Sequence, residues 1–206
     1  RNLLGYIRFK WDKNEEGTLE VTNFKSSLQL WHLSIGGTSK SLDVHQTGQH
    51  GEGLKIAALI FRRFPHNHTF RIDSSGFRWN FNFDTKRQLL CRLSRLLDAD
   101  QKIQARRSVR GRPRTTTHRK WEDVSVFIGA PTKGRGSNSV VHKGQKIPLT
   151  GFREWLKVTI DIEGPESVIR TTCGDLIMDP AYRNKLYLRG LLLPQGSTTG
   201  RPLLYG

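Results

Sequence analysis

The sequence predicts an α+β fold, a mostly antiparallel sheet covered by few helices, and three observations carry that expectation. Phe77-Arg78-Trp79-Asn80-Phe81-Asn82-Phe83 alternates strictly, as a strand with one wet and one buried face requires. Ser75-Gly76 separates it from a second strand-like stretch, Thr69 to Asp73, so the two read as a hairpin. Leu54, Ile56, Ala57, Ala58, Leu59, Ile60 and Phe61 form an apolar run that begins where glycines end and stops before Pro65, which suits a buried helix.

The remaining elements follow in order. Leu3 to Phe9 suits a strand, and Gly17-Thr18 is expected to turn it into a second strand at Leu19-Glu20-Val21. Ser26 is a candidate cap for a short helix bearing Leu28, Leu30, Trp31 and Leu33, stopped by Gly36-Gly37. A polar loop follows from Thr38 to Gly53. Leu89 to Leu97 fits a helix by its apolar spacing and in part a strand. Val124 to Ile128 reads as a short strand, Ala130 to Gly144 as a glycine-, serine- and base-rich loop. Gly151 to Trp155 reads as one or two helical turns leading into an alternating strand from Lys157 to Ile162. Leu186 to Leu193 gives a last strand, split at Gly190. There is no internal repeat.

Apolar residues make up 35% of the 206, enough for a real core, so wholesale disorder is excluded. The two cysteines, Cys91 and Cys173, are far apart and have no metal-ligand spacing, which argues against a disulfide framework and a zinc site and fits a reducing compartment. No run reaches the roughly 18 apolar residues of a membrane span, and no uninterrupted secretory segment stands at the N-terminus. The expectation is therefore an intracellular chain, cytoplasmic or nuclear, with no membrane partner. Without an initiator methionine, it reads as a piece of a longer protein. A net charge of +16 favours phosphate-bearing partners, whether nucleotide, nucleic acid or anionic surface.

The segment with most chemical content is Gly36-Gly37-Thr38-Ser39-Lys40 followed by Gly48-Gln49-His50-Gly51-Glu52-Gly53-Leu54-Lys55, running into the apolar helix. Glycines let backbone N–H groups turn toward a ligand, and a helix N-terminus adds partial positive charge, so the arrangement suits phosphate oxygens. It lacks the Lys-Ser ending of a P-loop and does not follow a strand as the dinucleotide fingerprint demands.

The order of strand, short helix, Gly-Thr-Ser-Lys, Gly-Gln-x-Gly-x-Gly, apolar helix and hairpin resembles the ATP-binding domain of the gyrase, heat-shock-chaperone, histidine-kinase and mismatch-repair (GHKL) type, in particular the 90-kDa heat-shock chaperones and sacsin- and microrchidia-like ATPases. The resemblance is closest over Leu19 to Phe83. Trp121-Glu122-Asp123-Val124 and Lys185 to Leu191 look like segments of uncharacterised fungal proteins carrying this domain. The resemblance implies a nucleotide-lid region over residues 1–100, a basic loop or insertion at 101–120, and a continuation of the sheet over 121–206. It implies ATP as ligand, with magnesium in the complete protein. Gly37, Gly48, Gly51 and Gly53 would approach the phosphates, Thr38, Ser39, Lys40 and Lys55 would add lid contacts, and Asn23 stands where the family's adenine-reading aspartate would be.

Two departures bear on activity. The family's catalytic E-x-x-x-N helix is not found, so it is expected upstream of Arg1 or absent, and no catalytic residue is assigned. Glu52 lies in the glycine loop, where a carboxylate repels phosphate. Phe24 follows Asn23 where the family has glycine, which puts adenine binding in question. Binding without independent hydrolysis is the expectation.

Two other readings stand beside it. Arg106 to Arg114 contains Arg-Gly-Arg-Pro, similar to an AT-hook core, a motif in which two arginines enter the minor groove of DNA, and Arg110, Arg112 and Arg114 are the candidate contacts. A degenerate scaffold that contacts only protein partners, or forms a dimer, is the third. His45, His50, His66 and His68 cluster in sequence without carboxylate or thiol partners at metal spacing and read as structural or surface residues. Trp79, Phe81 and Phe83 read as core in preference to a base-stacking platform.

Overall fold

The computed structural model describes residues 3–34, 52–96, 121–130, 144–188 and 190–193. They fall into two compact units, residues 1–148 and 149–206, each described by itself. The architecture is mixed α+β, a multi-strand antiparallel sheet with a few helices.

The first unit is built on a seven-stranded sheet: β1 (Gly5–Trp11), β2 (Glu16–Asn23), β3 (Phe70–Ser74), β4 (Phe77–Phe83), β5 (Leu89–Arg95), β6 (Val124–Ile128) and β7 (Ile147–Pro148). The spatial order is β1-β2-β6-β3-β4-β5, with β7 paired to the start of β2, and every pairing is antiparallel. Thus β6 joins two hairpin-built halves that are local in sequence.

Since directly paired residues share a face, the registers sort the sheet into two surfaces. One carries Phe9, Leu19, Val21, Ile147, Ile128, Val126, Phe70, Ile72, Trp79 and Phe81. Helix α1 (Gly53–Arg62) covers the β3–β4 part of it: Ala58 is fully buried, Phe61 stacks on Phe70 at 6.1 Å, and Phe70 meets Phe81 edge-on at 5.4 Å. Trp79 and Phe81 are 2% and 4% exposed, so the alternating aromatic strand contributes to the core and is not open for base stacking.

The opposite surface is polar and runs in rows across the strands. One row reads Arg8, Glu20, Phe127, Arg71, Asn80, Arg92, and the next reads Tyr6, Thr22, Ser125, Asp73, Arg78, Ser94. Glu20, Thr22, Asp73 and Ser125 are buried in spite of their polarity. Each has a partner, as buried polar groups require: Tyr6 and Arg8 donate to Glu20, the Thr22 and Ser125 hydroxyls bond at 2.9 Å, and Arg78 grips Asp73 through Nε and Nη2 at 3.0 and 3.2 Å.

Several expected elements shift. The β1–β2 turn lies at residues 12–15, with Asp12 Oδ1 accepting from Asn14 N, and Gly17 is inside β2. Glycine is required there because a Cβ would stand 1.9 Å from Lys10 O. The expected helix after Ser26 reduces to a 3-10 turn, Leu30–Leu33, preceded by Gln29; Ser26 Oγ is spent on Phe24 O. Of the stretch Leu89 to Leu97, Leu89–Arg95 forms the edge strand β5, and Leu97 lies outside the described residues. The expected loops at 101–120 and 131–143 lie outside the described residues.

The second unit opens with α2 (Leu149–Leu156), longer than expected. Lys157 to Ile162 is not a strand. Lys157, Val158 and Thr159 N–H groups continue the helix end by bonding to Glu154, Trp155 and Leu156, and Asp161 N donates to Thr159 Oγ1, a local turn that competes with extended structure. Two hairpins follow. β8 (Val168–Thr171) with β9 (Gly174–Ile177) was not anticipated, and β10 (Tyr187–Leu188) with β11 (Leu191–Leu192) folds across Gly190 at φ +79°.

Candidate functional site

The glycine-rich stretch enters the described structure at its two ends. Upstream, the chain leaves β2 at Asn23 and is fastened step by step: Phe24 N donates to Leu4 O, Lys25 N to Asp123 Oδ1 at 2.9 Å, and Leu28 N to Ser74 Oγ at 3.0 Å, while Ser75 Oγ donates to Leu28 O. This ties residues 24–34 to the β3–β4 corner. Asp123 and Ser74 are fully buried, so their acceptor atoms are fixed in position. The 3-10 turn then delivers the chain to Ser34.

Downstream, α1 starts at Gly53. Its N-terminal flank, Glu52, makes no side-chain capping bond, and the first turn holds no acidic residue. The N–H groups of a helix's first turn have no intrahelical acceptor, so an uncapped start leaves donors and the positive end of the helix dipole available to an anion. A Cβ on Gly53 would meet nothing within 4 Å, so the approach to this end is open.

Lys55 connects the two ends. Its Nζ donates to Ser34 O and pairs with Glu52 Oε1 at 3.3 Å. Lys55 therefore joins Ser34 and Glu52, the two residues that flank the glycine-rich stretch. The same bonds mean that both the ammonium of Lys55 and the carboxylate of Glu52 are engaged there.

The other end of α1 is secured by Arg62, which donates from Nη1 to His68 O at 3.0 Å and from Nη2 to Asn82 Oδ1 at 3.1 Å. Burial holds its guanidinium below the ordinary arginine range.

Asn23, the last residue of β2, pairs with Gly5 and Val124 and is exposed. Phe24 turns its ring against Tyr6 at 5.8 Å, edge-on. Of the other expected site residues, Gly37, Thr38, Ser39, Lys40, Gly48 and Gly51 lie outside the described residues, as do Arg110, Arg112 and Arg114, and His45 and His50. His68 is buried, its Nδ1 bonds to Gln145 O at 3.1 Å, and burial lowers its pKa; His66 lies beside it with ring centroids 6.0 Å apart. Among the described residues no three His, Cys, Asp or Glu side chains gather as a metal group, so no residue here is assigned to magnesium.

One feature escaped the sequence reading: a concavity of about 490 Å³ on the polar face of the sheet, lined among others by Lys10, Arg71, Arg78, Asn80 and Asn82. Its signal was present in the positions that alternate with the apolar ones, but placing them side by side requires the strand order. No protein-family model, no curated protein and no solved structure matches this chain.

Proposed function

We propose that this chain binds an adenine nucleotide, its triphosphate seated between the glycine-rich loop and the start of α1, as a part of a GHKL-type ATPase domain. The observation that carries the reading is the pairing of an uncapped helix start at Gly53 with the bond by which Lys55 joins Ser34 and Glu52, the residues that flank the glycine-rich stretch. A stretch whose two ends are tied together has fewer conformations open to it. Fewer conformations then have to be given up when a phosphate is bound, which is the advantage of preorganisation.

The order of β2, 3-10 turn, glycine-rich loop, α1 and the β3–β4 hairpin supports the GHKL reading of the fold. Asn23, exposed at the end of β2, offers an amide that accepts from or donates to a base edge. Lys55 serves chiefly to join Ser34 and Glu52, and Gly53 to keep the helix start clear. With no catalytic glutamate–asparagine pair recognised in the sequence, the proposal is binding and not turnover.

Calorimetric titration of magnesium-ATP into the chain, beside a Gly51→Arg, Gly53→Arg variant, tests this. Saturable heat in the parent that disappears in a folded variant is the expected result. Absence of heat in a folded parent, or equal heat in both, sinks the reading.

A further inference from the structure

The polar face of the sheet has an unresolved charge account. Its concavity is lined by three cations, Lys10, Arg71 and Arg78, and one carboxylate, Glu20, with Arg8, Arg92 and Asp73 beside them on the same face. Glu20 is taken by Tyr6 and Arg8, and Asp73 is gripped in two-pronged fashion by Arg78. Arg71 is left with a remainder: its Nε stands 3.5 Å from Asp73 Oδ1, has no hydrogen-bond partner and is itself buried. The guanidinium lies on the Phe127 ring, 4.1 Å from its centroid. Burial, and then the neighbouring Arg78, press its pKa downward against the pull of Asp73 and Glu20, and the net shift is downward. A cation so placed is undercompensated. Lys10, exposed at the other side of the concavity, has no ion-pair or hydrogen-bond partner among the described residues.

The concavity is floored by small side chains in the row that Lys10 heads, next to the row that holds Arg71. Lys10 pairs with Thr18, and Gly129, Thr69 and Asn82 line the space beyond them. Both threonine hydroxyls are turned to backbone carbonyls, Thr18 to Ala130 and Thr69 to Gly129. Asn80, Asn82 and Ser94 also line the space and bring amide and hydroxyl groups to it. Its volume falls within the range of small-molecule sites. Lys10 on β1 and Arg71 on β3 are three strand spacings and two residues of register apart, about 16 Å between backbones, so their long side chains address opposite ends of one ligand.

We propose that this trough binds a small molecule carrying two phosphate groups a short distance apart, one held by Lys10 and the other by Arg71 with the help of the neighbouring amides. It is separate from the start of α1, since α1 packs on the other face of the sheet, and it stands or falls independently of the nucleotide reading. Linear polyphosphate and a sugar bisphosphate share this chemistry, and both serve as probes.

The test is calorimetric titration of inorganic tripolyphosphate and, separately, of a hexose bisphosphate into the whole chain and into the Lys10→Gln, Arg71→Gln and Gly53→Arg variants, with circular dichroism to verify folding. The expected result is saturable binding of at least one probe, weakened about tenfold or more by Lys10→Gln and by Arg71→Gln, as loss of a charge-assisted contact entails, and unchanged by Gly53→Arg. The probe that binds more tightly identifies the source. Lys10 is exposed and carries the test alone if Arg71→Gln fails to fold. No saturable heat with either probe, binding indifferent to Lys10→Gln, or binding abolished only by Gly53→Arg would each overturn the proposal. So would tight binding of an oligothymidylate where neither small probe binds, because the face would then serve a nucleic acid strand.

Discussion

Removing the Asp73 carboxylate should be among the most damaging single changes on the polar face. Asp73 is 1% exposed and accepts two bonds from Arg78, with Arg71 at 3.5 Å. At the 3.0 Å separation of Arg78 Nε and Asp73 Oδ1, Coulomb attraction is about 5 kcal/mol for an effective permittivity of about 20. Arg78 and Arg71 are each about one-third exposed, 34% and 31%, so both recover part of their hydration when the carboxylate goes. The net loss for Asp73→Ala is therefore set near the low end for breaking a buried pair, about 3 kcal/mol. For a unit of this size that corresponds to a fall in Tm of about 6 to 12 °C, read by calorimetry and by urea titration. Asp73→Asn, which keeps one acceptor, should lose less. A double Asp73→Leu, Arg78→Met variant should regain part of the loss, since a well-packed apolar pair replaces a buried ion pair at little cost. A loss below about 1 kcal/mol for Asp73→Ala, or a double variant worse than the single, would refute the claim that this pair is effectively buried.

Two other titratable groups give direct checks. The Tyr6 hydroxyl is pushed up from 10.0 to about 12, first by burial and then by its bond to Glu20. A phenol whose folded pKa is raised contributes stability that is complete below pH 10 and is lost as pH rises toward 12. Stability measured against pH should fall through that window and fall less in Tyr6→Phe; identical curves would remove the role given to burial and Glu20. Burial likewise pushes the half-buried Cys91 thiol up to about 11, whereas Cys173 is exposed. Thiolate is the reactive form, so alkylation at pH 8 followed by mass spectrometry should label Cys173 well before Cys91, and equal rates would contradict the placement of Cys91 on β5.

What could be read from the sequence was what is local. The Phe77 to Phe83 alternation, the Ser75-Gly76 turn and the Leu54 to Phe61 helix all appear at their expected places, because period and turn chemistry act over a few residues. Leu89 to Leu97 was ambiguous because β5 is an edge strand whose exposed positions include Leu90, so alternation is blurred. β8 is exposed along its whole length and carries no alternation to detect. Lys157 to Ile162 alternates in sequence, but the Thr159 hydroxyl bends the backbone back on itself. At the candidate site, the start of α1 after Gly53 was legible. The clamp of Lys55 on Ser34 was not, since it depends on closing a long loop. The trough was hidden for a similar reason: Lys10 is brought onto one surface with Arg71 and Asn82 only through β6.

The position of β6 also has a consequence for how the chain comes into being. Residues 124–128 supply hydrogen-bond partners to β2 on one side and β3 on the other, yet they are made roughly a hundred residues after β2. During synthesis from the N-terminus, the β1–β2 hairpin and the β3–β4–β5 meander emerge first and each carries an unmated strand edge until β6 arrives. Such edges are templates for pairing with other chains. A nascent chain stalled after β5 would present two of them at once, so demand for a chaperone should be greatest in that interval and end when five residues slot between the halves.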